Sequence, residues 1–188
     1  MKQMKVISVN IGEKRKIQWR RKTVETGIFK APVNEPIFLD IEDVQKDNVV
    51  DRKHHGGILQ AVYAYSEGHY EYWQELYPDL EWNYGMFGEN ITITNLDETK
   101  IHLGSVYQLG NAKIEVTKPR EPCYKLGIRF NDPKIIKQFW NSTKSGLYFK
   151  ILKTGFVAEN DELILIKEAI LNPTIAEVYH LKRIKKGQ

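Results

Sequence analysis

What the sequence lacks narrows the field first. Only one of its 188 residues is a cysteine, Cys123, so no disulfide can form within the chain and a reducing compartment fits best. The same shortage removes the spaced thiolates on which a structural zinc site is built. No run approaches the roughly 18 consecutive apolar residues of a membrane-spanning helix. The opening MKQMKVISVNIGEKRK returns to charge before any leader-like stretch develops. A cytoplasmic protein without membrane contact is the expectation. Charge of one sign is also scarce: 28 Lys and Arg against 24 Asp and Glu leave +4. The basic residues are scattered at 14–16, 20–22 and 182–186, without the aromatic interleaving of an RNA-binding sheet. This argues against a nucleic-acid partner, while a mildly basic surface still suits a small anionic ligand.

What is present reads as mainly β. Short runs rich in β-branched and aromatic residues recur at 6–11, 36–41, 61–65, 90–94, 106–109, 113–117, 147–152 and 162–166. Several of them alternate polar and apolar residues, as half-buried strands do. The LGN at 109–111 joins two such runs as a hairpin. Many short strands with turn signals predict an antiparallel barrel or sandwich. Three segments read as helices. One follows a Ser66 cap to about Tyr77, with Tyr70, Trp73 and Tyr77 on one face. The second is opened by Asp132 and Pro133 and buries Ile135, Ile136, Phe139 and Trp140. The third follows Pro173 and carries Ile175, Val178 and Tyr179 as its apolar stripe. That last helix, with its basic tail, reads equally as a docked appendage or an oligomer contact.

The lone thiol sits in KPREPCYKLGIRF, between Arg120 and Lys125. A thiolate is a strong nucleophile and a soft metal ligand, and neighbouring cations favour it over the thiol. If the segment is extended, Cys123 and Lys125 share a face, and Pro122 fixes the approach to the sulfur. On this local chemistry alone a buried structural cysteine is the commoner fate. No signature ties any of the five histidines to Cys123 as a base.

Three other clusters carry possible chemistry. DRKHHGGIL, from Asp51, leads two imidazoles into Gly56–Gly57, where an exposed backbone can approach an anion. A charged turn before a core strand explains it equally well. ETGIFKAPV offers the Thr26 hydroxyl, the accessible backbone of Gly27 and the Lys30 cation, without the spacing of a Walker loop. YGMFGEN packs Gly85, Gly88, Glu89 and Asn90 before a strand and reads mostly as a tight turn, with Glu89 a candidate acid only if it points inward.

Taken in order, TGIFKAPV, DRKHHGGILQAVYAY, GMFGEN, KPREPCYKL and SGLYFKILKTG are more specific than any one of them. Together they resemble the MOSC domain, the C-terminal domain of molybdenum-cofactor sulfurases. The likeness spans about 6–166 and is nearest to stand-alone bacterial proteins linked to hydroxylaminopurine resistance. The resemblance implies a MOSC-type β-barrel with a few peripheral helices over 1–168, followed by a C-terminal helix and basic tail at 169–188. It also implies a molybdenum cofactor, molybdopterin, with Cys123 as molybdenum ligand or sulfur carrier and Arg120 as the arginine of the motif. Because the pterin carries a phosphate, Thr26, Lys30, His55, Gly56 and Lys125 become candidate cofactor-binding residues.

Three functions follow from the resemblance. The first is a reductase of N-hydroxylated compounds, served by a separate electron donor. The second is a sulfur carrier that receives a persulfide on Cys123 from a sulfur donor protein. The third is a cofactor-binding module without turnover. Relatives often continue into a longer helical extension, sometimes followed by electron-transfer modules.

Overall fold

The structure, a computed structural model, describes residues 3–48 and 56–187. In chain order the strands and helices are β1 (Val6–Gly12), β2 (Arg15–Trp19), β3 (Lys22–Thr26), β4 (Lys30–Val33), β5 (Ile37–Leu39), β6 (Val62–Ser66), α1 (Tyr70–Leu76), β7 (Ile91–Ile93), β8 (Val106–Leu109), β9 (Ala112–Pro119), α2 (Tyr124–Arg129), α3 (Ile135–Ser142), β10 (Leu147–Lys153), β11 (Gly155–Val157), β12 (Leu163–Lys167) and α4 (Ile175–Lys185). All eight runs expected as strands are strands. β2, β3, β4 and β11 are additional, being short or too polar to stand out by period. The LGN turn forms as expected: Gly110 takes a positive φ of 52° and β8 pairs antiparallel with β9 across it.

Eight strands form one sheet in the order β12-β8-β9-β10-β6-β7-β1-β4. The sheet is not closed into a barrel, which corrects that part of the expectation. Its ends meet only at a corner, where Val6 N donates to Asp161 O at 2.8 Å and Lys5 bridges Glu162. Further along β1, Val9 to Gly12 pair instead with Val33 to Lys30 of β4. Barrel closure needs a continuous ladder between the edge strands, and β4 occupies the place where that ladder would run. Nor is the sheet wholly antiparallel. β6 and β7 run parallel, joined by a crossover that contains α1, as a parallel pair requires. β5 pairs with β11, and β2 with β3, as separate ribbons.

Two apolar clusters hold the fold. One lies against the sheet and includes Val6, Ile91, Ile114, Phe149 and Ile175. The other is aromatic, packing Tyr65, Trp73, Phe87, Phe130 and Phe139 between α1, α3 and β6. Trp73 and Phe139 stack at 5.8 Å between ring centroids, and Tyr65 stacks on Phe87 at 4.3 Å. Fully burying each such side chain stabilises by about 1.5–3 kcal/mol. α3 starts at Ile135, two residues after Pro133, because Asp132 Oδ1 accepts from Lys134 N at 2.9 Å and closes a turn first. At its end Thr143 takes the left-handed conformation.

The C-terminal helix is docked. Thr174 caps α4 in a reciprocal box with Glu177. Ile175 and Tyr179 are buried, and Tyr179 stacks on Trp140 at 5.0 Å while its hydroxyl donates to Phe139 O. Lys182 Nζ reaches Glu121 Oε1 at 2.5 Å. The helix therefore braces the chain two residues before Cys123.

Candidate functional site

β9 ends at Pro119, and beyond Arg120 three residues, Glu121 to Cys123, lead into α2. Cys123 is the residue before the helix, in an extended conformation (φ −127°, ψ 169°). Its carbonyl accepts from Leu126 N at 2.9 Å, and its sulfur, half-buried, makes no capping bond. Cys123, Arg120 and Lys125 all line one cleft with Thr26, Lys30 and Tyr63. The cleft encloses about 640 Å³, part of it open to solvent. Cys123 and Lys125 do face the same space, but through the first turn of α2 rather than along an extended strand.

Arg120 is the unusual member. It is 5% exposed, and its Nη1 has no hydrogen-bond partner. Its guanidinium carbon lies 5.3 Å from the Tyr63 ring centroid and 5.2 Å from that of Phe139, so the charge is held by aromatic faces. Among the described residues no carboxylate pairs with it. A buried guanidinium N–H left unbonded costs more than a kilocalorie, about 1–3 kcal/mol, so this donor is directed at something that the described residues do not supply. Burial pushes the Tyr63 and Tyr148 hydroxyls upward, against the opposing pull of Arg120. Both therefore stay protonated. Tyr63 donates to Ser145 O at 2.8 Å.

The other cations are held differently. Lys30 Nζ lies 2.5 Å from Asp47 Oδ2, and both side chains are nearly inaccessible. Asp47 also accepts from Gly12 N and from Asn90 Nδ2, each at 2.9 Å. Lys30 is thus neutralised within the cleft wall rather than offered to a ligand. Lys125 is buried. Among the described lining residues, three cations stand against one carboxylate, so the cleft favours an anion.

Thr26 lines the cleft fully buried, its Oγ1 accepting from Ile28 N at 3.2 Å. Beside it Gly27 has no room for a side chain: a Cβ there would fall 1.8 Å from Asn48 O. That close backbone approach forms one wall. Gly56 is not among the lining residues; it contributes through Gln60, which lines the cleft and donates to Gly56 O at 3.4 Å. His55, with the rest of the Asp51 to His55 cluster, lies outside the described residues. Glu89 is wholly buried and does not line the cleft. It accepts from Tyr70 OH, Gly85 N (2.9 Å), Phe87 N (3.0 Å) and Thr92 Oγ1 (3.1 Å). Burial pushes its carboxyl upward, and those donors oppose the shift. Its work is to fold the 85–89 loop that carries Phe87 and Gly88 into the cleft wall.

Reading the sequence alone missed Asp47, Tyr63, Phe87 and Tyr148. Asp47 lies in no motif, and Tyr63 sits inside a run that reads simply as a core strand. Among the described residues no cluster of three or more His, Cys, Asp or Glu side chains could hold a metal by itself.

The donor set suits a group that is anionic at one end and binds soft metal at the other. The unbonded Arg120 Nη1 supplies the first requirement, and the Cys123 sulfur, accessible on the same cleft, supplies the second. These features fit a phosphate-bearing metal–pterin group.

Comparison with known proteins places the chain in a family. The family model described as the MOSC domain matches residues 51–164. The chain is 33% identical to protein YflK of Bacillus subtilis over 161 residues, which is 86% of this chain and 72% of that protein. It is 30% identical to protein YiiM of Escherichia coli over 153 residues, covering 80% and 68% of the two chains. A protein of Gibberella moniliformis named "Reductase" is also 30% identical over 166 residues, 86% of this chain but 29% of that longer protein. Among solved structures, YiiM from Geobacillus stearothermophilus superposes with a TM-score of 0.80 at 29% identity, covering 98% of this chain and 86% of that one.

Proposed function

The chain belongs to the MOSC domain family, and from that premise we propose that its cleft holds a molybdenum cofactor and reduces N-hydroxylated compounds. The observation that carries this reading is the buried, unbonded Arg120 Nη1 on the same cleft as the Cys123 sulfur. The name of the fungal relative supports the choice of reduction.

In this reading Arg120 binds the phosphate of the pterin, and Tyr63 and Phe139 keep the guanidinium in place. Cys123 ligates the molybdenum. Lys125 adds positive charge to the wall, and Lys30 is held by Asp47 so that it shapes the cleft and does not compete for the phosphate. The metal–pterin group, when bound, would supply the two-electron redox capacity of the reaction. The balance is R–NHOH plus two electrons and two protons giving R–NH₂ and water: the N–O bond breaks and the oxygen leaves protonated. The electrons come from a separate donor protein.

The test uses anaerobically purified protein, an arylhydroxylamine as substrate and reduced benzyl viologen as donor. Amine formation by the wild type and its loss in Cys123→Ser support the reading; equal rates in both proteins overturn it.

A second reading is favoured by the partial exposure of Cys123. A half-buried thiol can be reached by a sulfur donor, so Cys123 would carry a persulfide to a metal–sulfur centre. Incubation with a cysteine desulfurase and intact-mass measurement separate the two, since only the carrier gains a sulfur on Cys123. Cofactor binding without turnover in either assay identifies a storage or delivery module.

A further inference from the structure

β2 and β3 form an arm. They pair with each other across Arg15↔Thr26 to Trp19↔Lys22 and with no other strand. A two-stranded hairpin left to itself is marginally stable, yet this one is loaded with cations: Lys14, Arg15, Lys16, Arg20, Arg21 and Lys22. Glu25 takes Lys14 at 2.6 Å and Lys16 at 3.8 Å. The other four have no carboxylate partner among the described residues.

The tip is costly as well as charged. Arg20 and Arg21 both have positive φ, 47° and 63°. A two-residue turn of that kind prefers Asn-Gly, and each non-glycine residue in the left-handed region costs about 1 kcal/mol. Two arginines there do not serve the stability of the turn. They place two exposed guanidiniums at its apex.

One face of the arm has the make-up of an interface. The register puts Arg15, Ile17 and Trp19 on the same side as Lys22 and Val24. Ile17, Trp19 and Val24 are half-buried, whereas Arg15 and Lys22 are exposed. An apolar centre with Trp, rimmed by arginine and lysine, matches the anatomy of a protein-binding patch. Arg20 lies over the Trp19 ring at 5.6 Å. At the root, Arg15 and Arg129 both lie over Phe29, at 5.4 and 5.0 Å. Arg129 is the last residue of α2, the helix that Cys123 precedes, and β3 ends at Thr26 in the cleft wall. Five extended residues span about 17 Å, so a partner lying on the arm reaches the cleft.

We propose that the β2–β3 arm is the docking surface for an acidic electron-donor protein of the flavodoxin or ferredoxin class. This rests on the reductase reading of the cleft, which needs electrons from outside. The apolar centre favours a protein over a nucleic acid, whose phosphates would call for a continuous track of cations. Complementary charge at such a rim acts chiefly on the association rate.

The test compares the wild type with Arg20→Asn/Arg21→Gly, which gives the turn its preferred residues, and with Arg15→Glu/Lys22→Glu, which reverses the rim. Binding to purified flavodoxin and ferredoxin is measured at low and high salt, with thermal stability alongside. At least one donor is expected to bind the wild type, more weakly as salt rises. Arg20→Asn/Arg21→Gly is expected to melt no lower than the wild type while associating about tenfold more slowly. Unchanged binding in both variants, or no binding of either donor to the wild type, overturns the proposal. So does a loss confined to a single-stranded oligonucleotide, to phosphatidylglycerol vesicles, or to self-association. Reduced benzyl viologen bypasses docking, so its rate with the arm variants separates the two readings. Viologen-driven turnover without donor binding removes the docking surface only. Donor binding through the arm without turnover from any donor removes the reductase reading and leaves the docking surface standing.

Discussion

Lys30 Nζ donates to Asp47 Oδ2 at 2.5 Å inside the cleft wall, so the cation that sequence spacing offers to a phosphate is already matched. Arg120, just beyond the end of β9, keeps the free donor instead. The division gives the two residues opposite phenotypes.

Removing Asp47 leaves a buried ammonium without its counter-charge and two further donors, Gly12 N and Asn90 Nδ2, short of an acceptor. Asp47→Ala is expected to lower stability by about 3–5 kcal/mol. Because Lys30 then faces the cleft uncompensated, inorganic phosphate should raise the variant's melting temperature more than the wild type's. Urea unfolding and thermal shift with and without phosphate check both.

Arg120→Met should behave the other way. The substitution keeps much of the volume between Tyr63 and Phe139 and removes an unbonded donor, so stability should change by no more than about 1 kcal/mol. The phosphate-induced rise in melting temperature should disappear. Arg120→Lys, which retains charge but not the planar fork, should recover only part of it.

The wall at Gly27 is set by backbone contact. Gly27→Ala places a methyl 1.8 Å from Asn48 O, so the 47–48 segment must move. A loss of about 1–3 kcal/mol is expected, together with weaker phosphate binding. Gly68→Ala is the control, because the nearest atom there is Ser66 Oγ at 3.9 Å. Its stability should stay within about 0.5 kcal/mol of wild type.

Glu89 links stability to pH. Its folded-state pKa is raised, with burial the leading cause, while the unfolded chain titrates near 4.3. The native state therefore binds the proton more tightly, and stability is lost as pH rises from about 4.3 through the folded value. Glu89→Gln removes that titration but disturbs the four donors. The variant's deficit relative to wild type should be larger near pH 4.5 than near pH 7, as urea midpoints will show. A deficit that grows with pH would contradict this sign.

Much of the fold was legible because it is written locally. The runs at 106–109 and 113–117 carry alternation and a glycine turn between them, and the stripe with Ile175 and Tyr179 marks the last helix, which opens at the Thr174 cap rather than at Pro173. The open sheet was not legible, since closure depends on β4 taking one edge of β1, a pairing between segments about twenty residues apart and lacking any periodic signal. In the site, Cys123, Arg120 and Lys125 could be named because a single segment holds them. Asp47 lies in no motif and meets the cleft only after folding, while Tyr148, inside the SGLYFKILKTG segment, reads there as one more strand residue. The arm escaped notice for a different reason: RKIQWRRKTVET reads as scattered surface charge until two positive-φ arginines close it into a hairpin.

The most direct measurement is molybdenum and pterin content of the protein, purified anaerobically from a host that makes the cofactor, by elemental mass spectrometry and fluorescence of the oxidised pterin. The wild type should carry both in matched amounts, Arg120→Met should lose both, and Cys123→Ser should keep pterin while retaining less molybdenum. Wild-type protein without either component, or a Cys123→Ser variant with undiminished metal, would contradict the account.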